Sequence, residues 1–163
     1  MFGKSLVIIA ALCCAVTLFG RGATTPKGWN DDFKAAQAIA RRSNRPILLL
    51  LTGSDWCGFC KKLKREALDK SDFKRFAADR LVLVYADSPN KVSLPPELAA
   101  QNKRLSAQFK VRGVPCTVIL APDGTELGRI SGCPRNPKDY LRQIKKIVGK
   151  TPQAPAKAAP QAE

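Results

Sequence analysis

Cys57 and Cys60 are the residues of this sequence best suited to chemistry. In thiol-disulfide exchange a thiolate attacks a disulfide sulfur, and a second thiol within reach then displaces the bound partner. Positive charge nearby lowers the pKa of a cysteine below its free value of about 8.5. Four cations follow the pair: Lys61, Lys62, Lys64 and Arg65. The pattern therefore predicts thiol-disulfide chemistry, with Cys57 as the nucleophile and Cys60 as the resolving thiol.

The elements on either side of the cysteines are suited to positioning them. Residues 47–51 are all apolar and the run stops at Gly53. It is too short for a helix, so it predicts a strand buried on both faces. Leu63, Ala67 and Leu68 then recur at helical spacing. Both cysteines are expected in the first turn of that helix, where unpaired N–H groups and the helix dipole stabilise a negative sulfur.

The remaining apolar patterns predict an α/β fold. Asn30, Asp31 and Asp32 are expected in the acidic first turn of the first helix, and Ser71 and Asp72 at the cap of a short later one. Pro122-Asp123-Gly124 is typical of a β-hairpin turn. Helices are predicted over residues 29–43, 73–78, 97–109 and 137–148, and strands over residues 81–85, 116–121 and 125–131. This order predicts a mixed sheet between layers of helices.

Two motifs resemble those of the thioredoxin superfamily. Trp56-Cys57-Gly58-Phe59-Cys60-Lys61 is similar to its W-C-G-x-C-K active site, and Gly113-Val114-Pro115 to its cis-proline loop. The resemblance extends over residues 32–148 and is closest to thioredoxin-like domains of secreted bacterial proteins.

The resemblance implies a thioredoxin-like fold, with a mixed central sheet flanked by helices and a C-terminal hairpin plus helix. It also implies that Pro115 is cis and that the main chain of Val114 and Pro115 holds the substrate strand. We expect Trp56 and Phe59 to line the surrounding apolar surface.

One position departs from the family pattern. Thioredoxins keep a buried aspartate six residues before the first cysteine, where this chain has Leu51. The Cys60 proton must then move through water or another group, for which Asp55 is a candidate. The sequence contains no histidine, which excludes Cys-His and Ser-His catalysis and the commonest metal ligand. The redox potential and the direction of electron flow stay open.

Cys116 and Cys133 are possible accessory thiols. Folding the hairpin about its turn sets residue 116 opposite 131 and residue 114 opposite 133, so the two thiols should be direct or diagonal neighbours. Three interpretations compete: a second disulfide, two free thiols, or a relay or four-cysteine metal site shared with Cys57 and Cys60. A tryptophan before the pair and a helix after it favour redox use over zinc, so we expect no metal.

Residues 1–23 are typical of a secretory signal peptide. Lys4 supplies the positive start, residues 6–19 form the apolar segment, and residues 20–23 offer small side chains for cleavage. Such a signal predicts export to the periplasm or beyond the cell, where disulfides persist.

Removing the signal leaves a predicted thioredoxin-like domain over residues 24–148 and a disordered tail rich in Pro, Ala and Lys over residues 149–163. Two alternatives change the location but not the chemistry. The first segment could stay as a membrane anchor, or Cys13 or Cys14 could carry a lipid, although the residues before them fit a lipid-attachment box poorly.

The chain is basic, with 28 Lys and Arg against 13 Asp and Glu and a net charge of +15. Such a surface is either a basic face that contacts only solvent or one that attracts anionic partners. The charges are scattered and aromatics are few, so nucleic acid is not expected.

The sequence therefore predicts an exported thiol-disulfide oxidoreductase that acts on protein thiols and disulfides. We expect it to be a monomer that needs no cofactor, with a membrane electron-transport reductase or oxidase as a candidate partner. The alternative is a redox-inert, thioredoxin-fold binding or chaperone-like domain for an anionic or unfolded partner.

Overall fold

The computed structural model describes residues 25–149. The predicted signal peptide, Cys13 and Cys14, and all but the first residue of the predicted tail lie outside the described residues, so the domain boundaries stay predictions. Within residues 25–149, no helix has the length and apolar character needed to cross a membrane.

The described residues form helices and strands in the order that the sequence predicts. A π-helical turn, Lys64–Leu68, continues α2 without a break. The elements are α1 (Phe33–Ser43), β1 (Ile47–Thr52), α2 (Gly58–Leu63), α3 (Ser71–Arg80), β2 (Val82–Asp87), α4 (Pro96–Gln108), β3 (Cys116–Leu120), β4 (Glu126–Ser131) and α5 (Pro137–Val148).

The strands form one mixed sheet in the order β2-β1-β3-β4. Strand β1 is parallel to β2 and antiparallel to β3, and β3 and β4 form the predicted hairpin. The α/β fold with a mixed sheet and a C-terminal hairpin plus helix is thus confirmed. Thr52 pairs with Asp87 and Leu51 with Cys116, so the carboxyl ends of β1 and β2 meet the start of β3 at one edge.

Strand β1 is buried along its whole length, as predicted. Leu48 and Leu50 pack with α3 and α5 on one face of the sheet. Ile47, Leu49 and Leu51 pack with α1 and α4 on the other face. Each such side chain stabilises the fold by about 1.5–3 kcal/mol through burial. The strand is therefore held from both faces, and the end that leads to Cys57 is firmly placed.

The first helix begins at Phe33, four residues later than predicted, so the predicted acidic first turn was wrong. Asp32 caps the helix, because its carboxylate accepts the N–H of Ala35 at 2.9 Å. Asn30 pairs with the edge strand β2 and donates its main-chain N–H to Leu83 at 2.9 Å. An edge strand leaves such groups without partners, and the segment before α1 satisfies them.

The start of α3 also differs from the prediction. Its N-cap is Lys70, which makes no side-chain cap hydrogen bond. Ser71 and Asp72 lie inside the first turn, where the negative charge of Asp72 suits the positive end of the helix dipole. The helix also runs two residues further than predicted, to Arg80.

The folded chain should lose stability at alkaline pH because of two buried tyrosines. Tyr140 is fully buried, with its Oη 2.7 Å from Oγ1 of Thr117. Burial raises the pKa of Tyr85 and of Tyr140 above the ordinary value of about 10. Above that pH the unfolded chain releases protons that the folded chain keeps, so the free energy of unfolding falls. We expect the urea concentration at the midpoint of unfolding to decrease as the pH is raised from about 9 to about 11. Circular dichroism of the reduced protein measures this midpoint.

The control for this prediction is Tyr140→Phe, which cannot ionise. At neutral pH it should be less stable by about 1–3 kcal/mol, since the Thr117 hydroxyl loses its partner. Its stability should nevertheless fall less steeply with pH than that of the wild type. Equal slopes in both proteins would contradict the prediction.

Candidate active site

The two cysteines of the predicted pair form a disulfide, with their Cα atoms 5.2 Å apart. Cys57 is the N-cap of α2 in an extended conformation, and Cys60 lies in the first turn. The prediction that both lie in the first turn is thus right for Cys60, whereas Cys57 comes just before it. The main-chain N–H of Cys60 points at Sγ of Cys57, 3.1 Å away. That N–H would stabilise a thiolate on Cys57 once the disulfide is reduced.

The second motif lies against the same sulfur. The Val114–Pro115 peptide bond is cis, which confirms the expectation from the family resemblance. The carbonyl oxygen of Val114 is 3.6 Å from Sγ of Cys57. The carbonyl oxygen of Pro115 accepts a hydrogen bond from the main-chain N–H of Gly132 at 2.8 Å. Val114 is partly exposed and Cys57 is 6% exposed. The surface beside Val114 therefore offers a substrate an approach to the sulfur.

Two exposed aromatic side chains belong to the same motif as the disulfide. Trp56 is 48% exposed and Phe59 is 68% exposed, an unusual position for aromatic rings. Val92, in the loop after β2, is also exposed and was not predicted. The indole N–H of Trp56 donates to the carbonyl of Ser88 at 2.8 Å, which fixes the ring. The ring packs so closely over Gly53 that a Cβ there would lie 2.6 Å from Nε1.

Gly53→Ala is expected to expel the Trp56 ring and break its hydrogen bond to Ser88. Exchange with a protein disulfide should slow by about three- to tenfold, because part of the apolar contact surface is lost, whereas a small aromatic disulfide should react normally. Tryptophan fluorescence and kcat/KM for the two substrates test this. The matched control is Gly128→Ala on β4, where a Cβ would meet the flexible Ile147 side chain at 3.3 Å. Unchanged fluorescence and kcat/KM in Gly53→Ala would contradict the prediction.

Asp87 is a residue of the site that the sequence analysis missed. It ends β2, is 2% exposed, and accepts both the N–H and the hydroxyl of Ser54, at 2.8 and 2.5 Å. A buried carboxylate needs such donors. Asp87 therefore ties the loop before Cys57 to β2. A signal for it exists in the sequence, since an aspartate that follows a buried run lies at the edge where parallel strands end.

Asp55, the candidate proton carrier, faces a different loop. Its carboxylate accepts the N–H of Asn90 at 2.9 Å and that of Lys91 at 2.5 Å. The hydrogen bond from Asn90 is the main reason that its pKa lies below the ordinary value. A carboxylate held ionised in this way is poorly suited to accept a proton near neutral pH. Leu51, which occupies the position of the thioredoxin aspartate, is buried in the core.

The cations after Cys60 are mostly engaged elsewhere. Lys61 donates to the carbonyl of Asp55 at 2.8 Å. The other three pair with carboxylates: Lys62 with Glu66 at 4.0 Å, Arg65 with Glu66 at 2.7 Å and Lys64 with Asp69 at 2.7 Å. Exposed pairs of this kind contribute little energy. Glu66 and Asp69 therefore offset part of the positive charge near Cys57, and the Cys60 N–H is the group that contacts its sulfur.

Cys116 and Cys133 are both free in the structure, so it shows no second disulfide. Cys116 pairs with Ser131 across the hairpin, in the register expected from the sequence. Burial raises the pKa of both thiols, which disfavours their thiolates. Within residues 25–149, no three Cys, Asp or Glu side chains lie close enough together to hold a metal ion.

Comparisons with known proteins agree with this geometry. The family described as "Thioredoxin-like domain" matches residues 33–147. The disulfide bond reductase DsbH of Chlamydia pneumoniae is 35% identical over 118 residues, which cover 72% of this chain and 71% of that protein. The thioredoxin-related protein DsbJ of the same organism is 26% identical over 132 residues, but these cover only 38% of its length.

Solved structures of thioredoxin-like proteins are also similar to this chain. A DsbH oxidoreductase superposes with a TM-score of 0.70 at 33% identity, covering 76% of this chain and 85% of that one. A thioredoxin from Thermus thermophilus superposes with a TM-score of 0.57 at 20% identity, covering 72% and 85% of the two chains, and shows the shared fold alone.

Proposed function

This chain belongs to the thioredoxin-like domain family, and from that premise we propose that it is an exported thiol-disulfide oxidoreductase that reduces disulfides of protein substrates. The observation that carries the proposal is the Cys57–Cys60 disulfide at the start of α2, beside the cis bond at Pro115. The likeness to a relative named as a disulfide bond reductase supports the direction. The N-terminal signal pattern supports export.

The proposed reaction begins with the reduced pair. The Cys57 thiolate attacks one sulfur of the substrate disulfide, so a Cys57–substrate bond forms and the other substrate sulfur leaves as a thiolate and takes a proton. Cys60 then loses its proton and attacks Sγ of Cys57. The second substrate sulfur leaves, and the Cys57–Cys60 disulfide remains. The substrate has gained two electrons and two protons.

Substrate binding in this proposal uses the surface around the disulfide. The main chain at Val114 and Pro115 lies beside Sγ of Cys57, where an extended segment can be held. Trp56 and Phe59 supply exposed apolar contact on the other side. The oxidised pair then needs an electron donor, for which a membrane electron-transport reductase is the candidate partner. We propose that the chain acts as a monomer.

The reduction potential of the Cys57–Cys60 pair tests the proposal against the redox-inert alternative. Equilibration with defined ratios of reduced and oxidised glutathione, followed by trapping and mass spectrometry, measures it. We expect a value in the range of catalytic pairs, about −120 to −270 mV. A value below about −300 mV would identify a structural bridge and overturn the enzymatic function.

A further inference from the structure

A basic groove of about 770 Å³ lies beside the disulfide, along the C-terminal half of α4 and the segment after it. We call it the α4 groove; its lining includes Ser88, Lys103, Ser106, Lys110, Val111 and Arg112. It borders the site at two points. The carbonyl of Ser88 holds the Trp56 ring, and Arg112 comes two residues before Val114.

The α4 groove carries positive charge. Lys103, Lys110 and Arg112 are exposed, and among residues 25–149 no carboxylate lines the groove. Within the part of the chain that the structure describes, none of the three makes an ion pair. Other cations do: Lys62, Lys64, Arg65, Arg75, Arg129 and Arg142.

Three carboxylates near this region already have partners in the folded chain. Asp87, which precedes Ser88, accepts hydrogen bonds from Ser54, and Asp55 accepts the N–H groups of Asn90 and Lys91. Glu126 forms an ion pair with Arg129 at 2.6 Å, and Arg129 also donates to the carbonyl of Phe109 at 2.8 Å, just before Lys110. An anion entering the groove would therefore meet three cations, none of which is paired with a carboxylate of residues 25–149.

We propose that the α4 groove binds an acidic segment of the protein substrate, within a few residues of the cysteine that reacts with Cys57. This inference rests on the proposed function and names the substrate class. A strand rises about 3.3 Å per residue, so an extended segment lying along Val114 reaches Arg112 within two or three residues. Complementary charge at this place raises the rate of encounter and selects among disulfides.

The lining of the groove favours an acidic peptide over other polyanions. Binding of single-stranded nucleic acid uses successive aromatic side chains for stacking, and the lining that residues 25–149 supply contains none. Binding to a lipid surface needs a broad apolar face beside the charges, and here Ala107 and Val111 are the apolar lining residues.

Two peptide disulfides that differ only beside the cysteine test the proposal, one flanked by three glutamates and one by three glutamines. The reduced full chain should reduce the acidic peptide about tenfold faster at low salt, and the preference should shrink at high salt. The triple variant Lys103→Gln, Lys110→Gln and Arg112→Gln should lose the preference and reduce the glutamine peptide as fast as wild type.

A matched control loses the same charge from helices on the opposite face of the sheet: Lys70→Gln, Lys74→Gln and Lys146→Gln. It should keep the preference. Equal wild-type rates for the two peptides would overturn the groove proposal while leaving the proposed function intact, and reduction of neither peptide would overturn both. An equal loss in the control would assign the preference to net charge. Equal peptide rates together with binding of a single-stranded oligonucleotide through the three cations would assign the groove to nucleic acid.

Discussion

Cys57→Ser should abolish catalysis of insulin reduction by this chain. The catalysed rate should fall by about a thousandfold or more, to the uncatalysed rate. The sulfur of Cys57 is the atom that faces Val114, and it carries the bond to the substrate in the proposed cycle. A serine hydroxyl is not ionised near neutral pH and cannot form a mixed disulfide. Turbidity from reduced insulin, with dithiothreitol as the electron donor, measures the rate.

The control for this prediction is Cys133→Ser, which removes a partly exposed free thiol and leaves the pair intact. It should keep the wild-type rate. Activity of Cys57→Ser equal to that of the wild type would remove Cys57 from the proposed mechanism. A large loss in Cys133→Ser would bring a third thiol into the cycle.

Cys60→Ala should convert short-lived mixed disulfides with Cys57 into stable ones, because no second thiol displaces the partner. The amount of partner trapped on Cys57 should rise by about tenfold or more. Cys60 is 4% exposed and bonded to Cys57, so it is the thiol placed to release the partner. The substitution keeps the main-chain N–H that points at Sγ of Cys57, so attack should proceed normally. Non-reducing electrophoresis of cell extracts, with mass spectrometry of the released partners, measures the effect.

The double variant Cys57→Ser and Cys60→Ala is the control for trapping and should hold no partner. Adducts in the double variant would place the reactive sulfur at a cysteine other than Cys57 and Cys60. Absence of adducts in Cys60→Ala would mean that Cys57 forms no lasting bond with a protein disulfide. The trapped partners would also show whether acidic residues flank the cysteine that reacted.

Local sequence patterns predicted the strand and the helix that position the cysteines. The apolar run at β1 is too short for a helix, which is why it predicted a buried strand, and the pair beside the following helical pattern places Cys60 in its first turn. Pairing of Cys116 with Ser131 followed from the position of the hairpin turn. The prediction of a cis bond at Pro115 came from the family resemblance, because a proline at the start of a strand is compatible with either isomer.

Contacts between distant segments were the features that the sequence analysis missed. Asn30 pairs with β2, and Asp87 holds Ser54 across 33 positions of the chain. Neither contact leaves a periodic pattern, since each depends on which strands become neighbours. The pairing of Glu66 with Lys62 and Arg65 was also missed, because proximity in sequence does not show which carboxylates lie beside these cations.

Titration of the thiols in the reduced chain tests the central claim, that the start of α2 makes Cys57 a readily formed thiolate. Ultraviolet absorbance of the thiolate can be followed in wild type and in Cys57→Ser. Burial raises the pKa of Cys116 and of Cys133, so these thiols should ionise above the free value of about 8.5. We expect the first ionisation in the wild type well below that value, and its absence in Cys57→Ser. A first ionisation at the free value, or one that persists in Cys57→Ser, would contradict the claim.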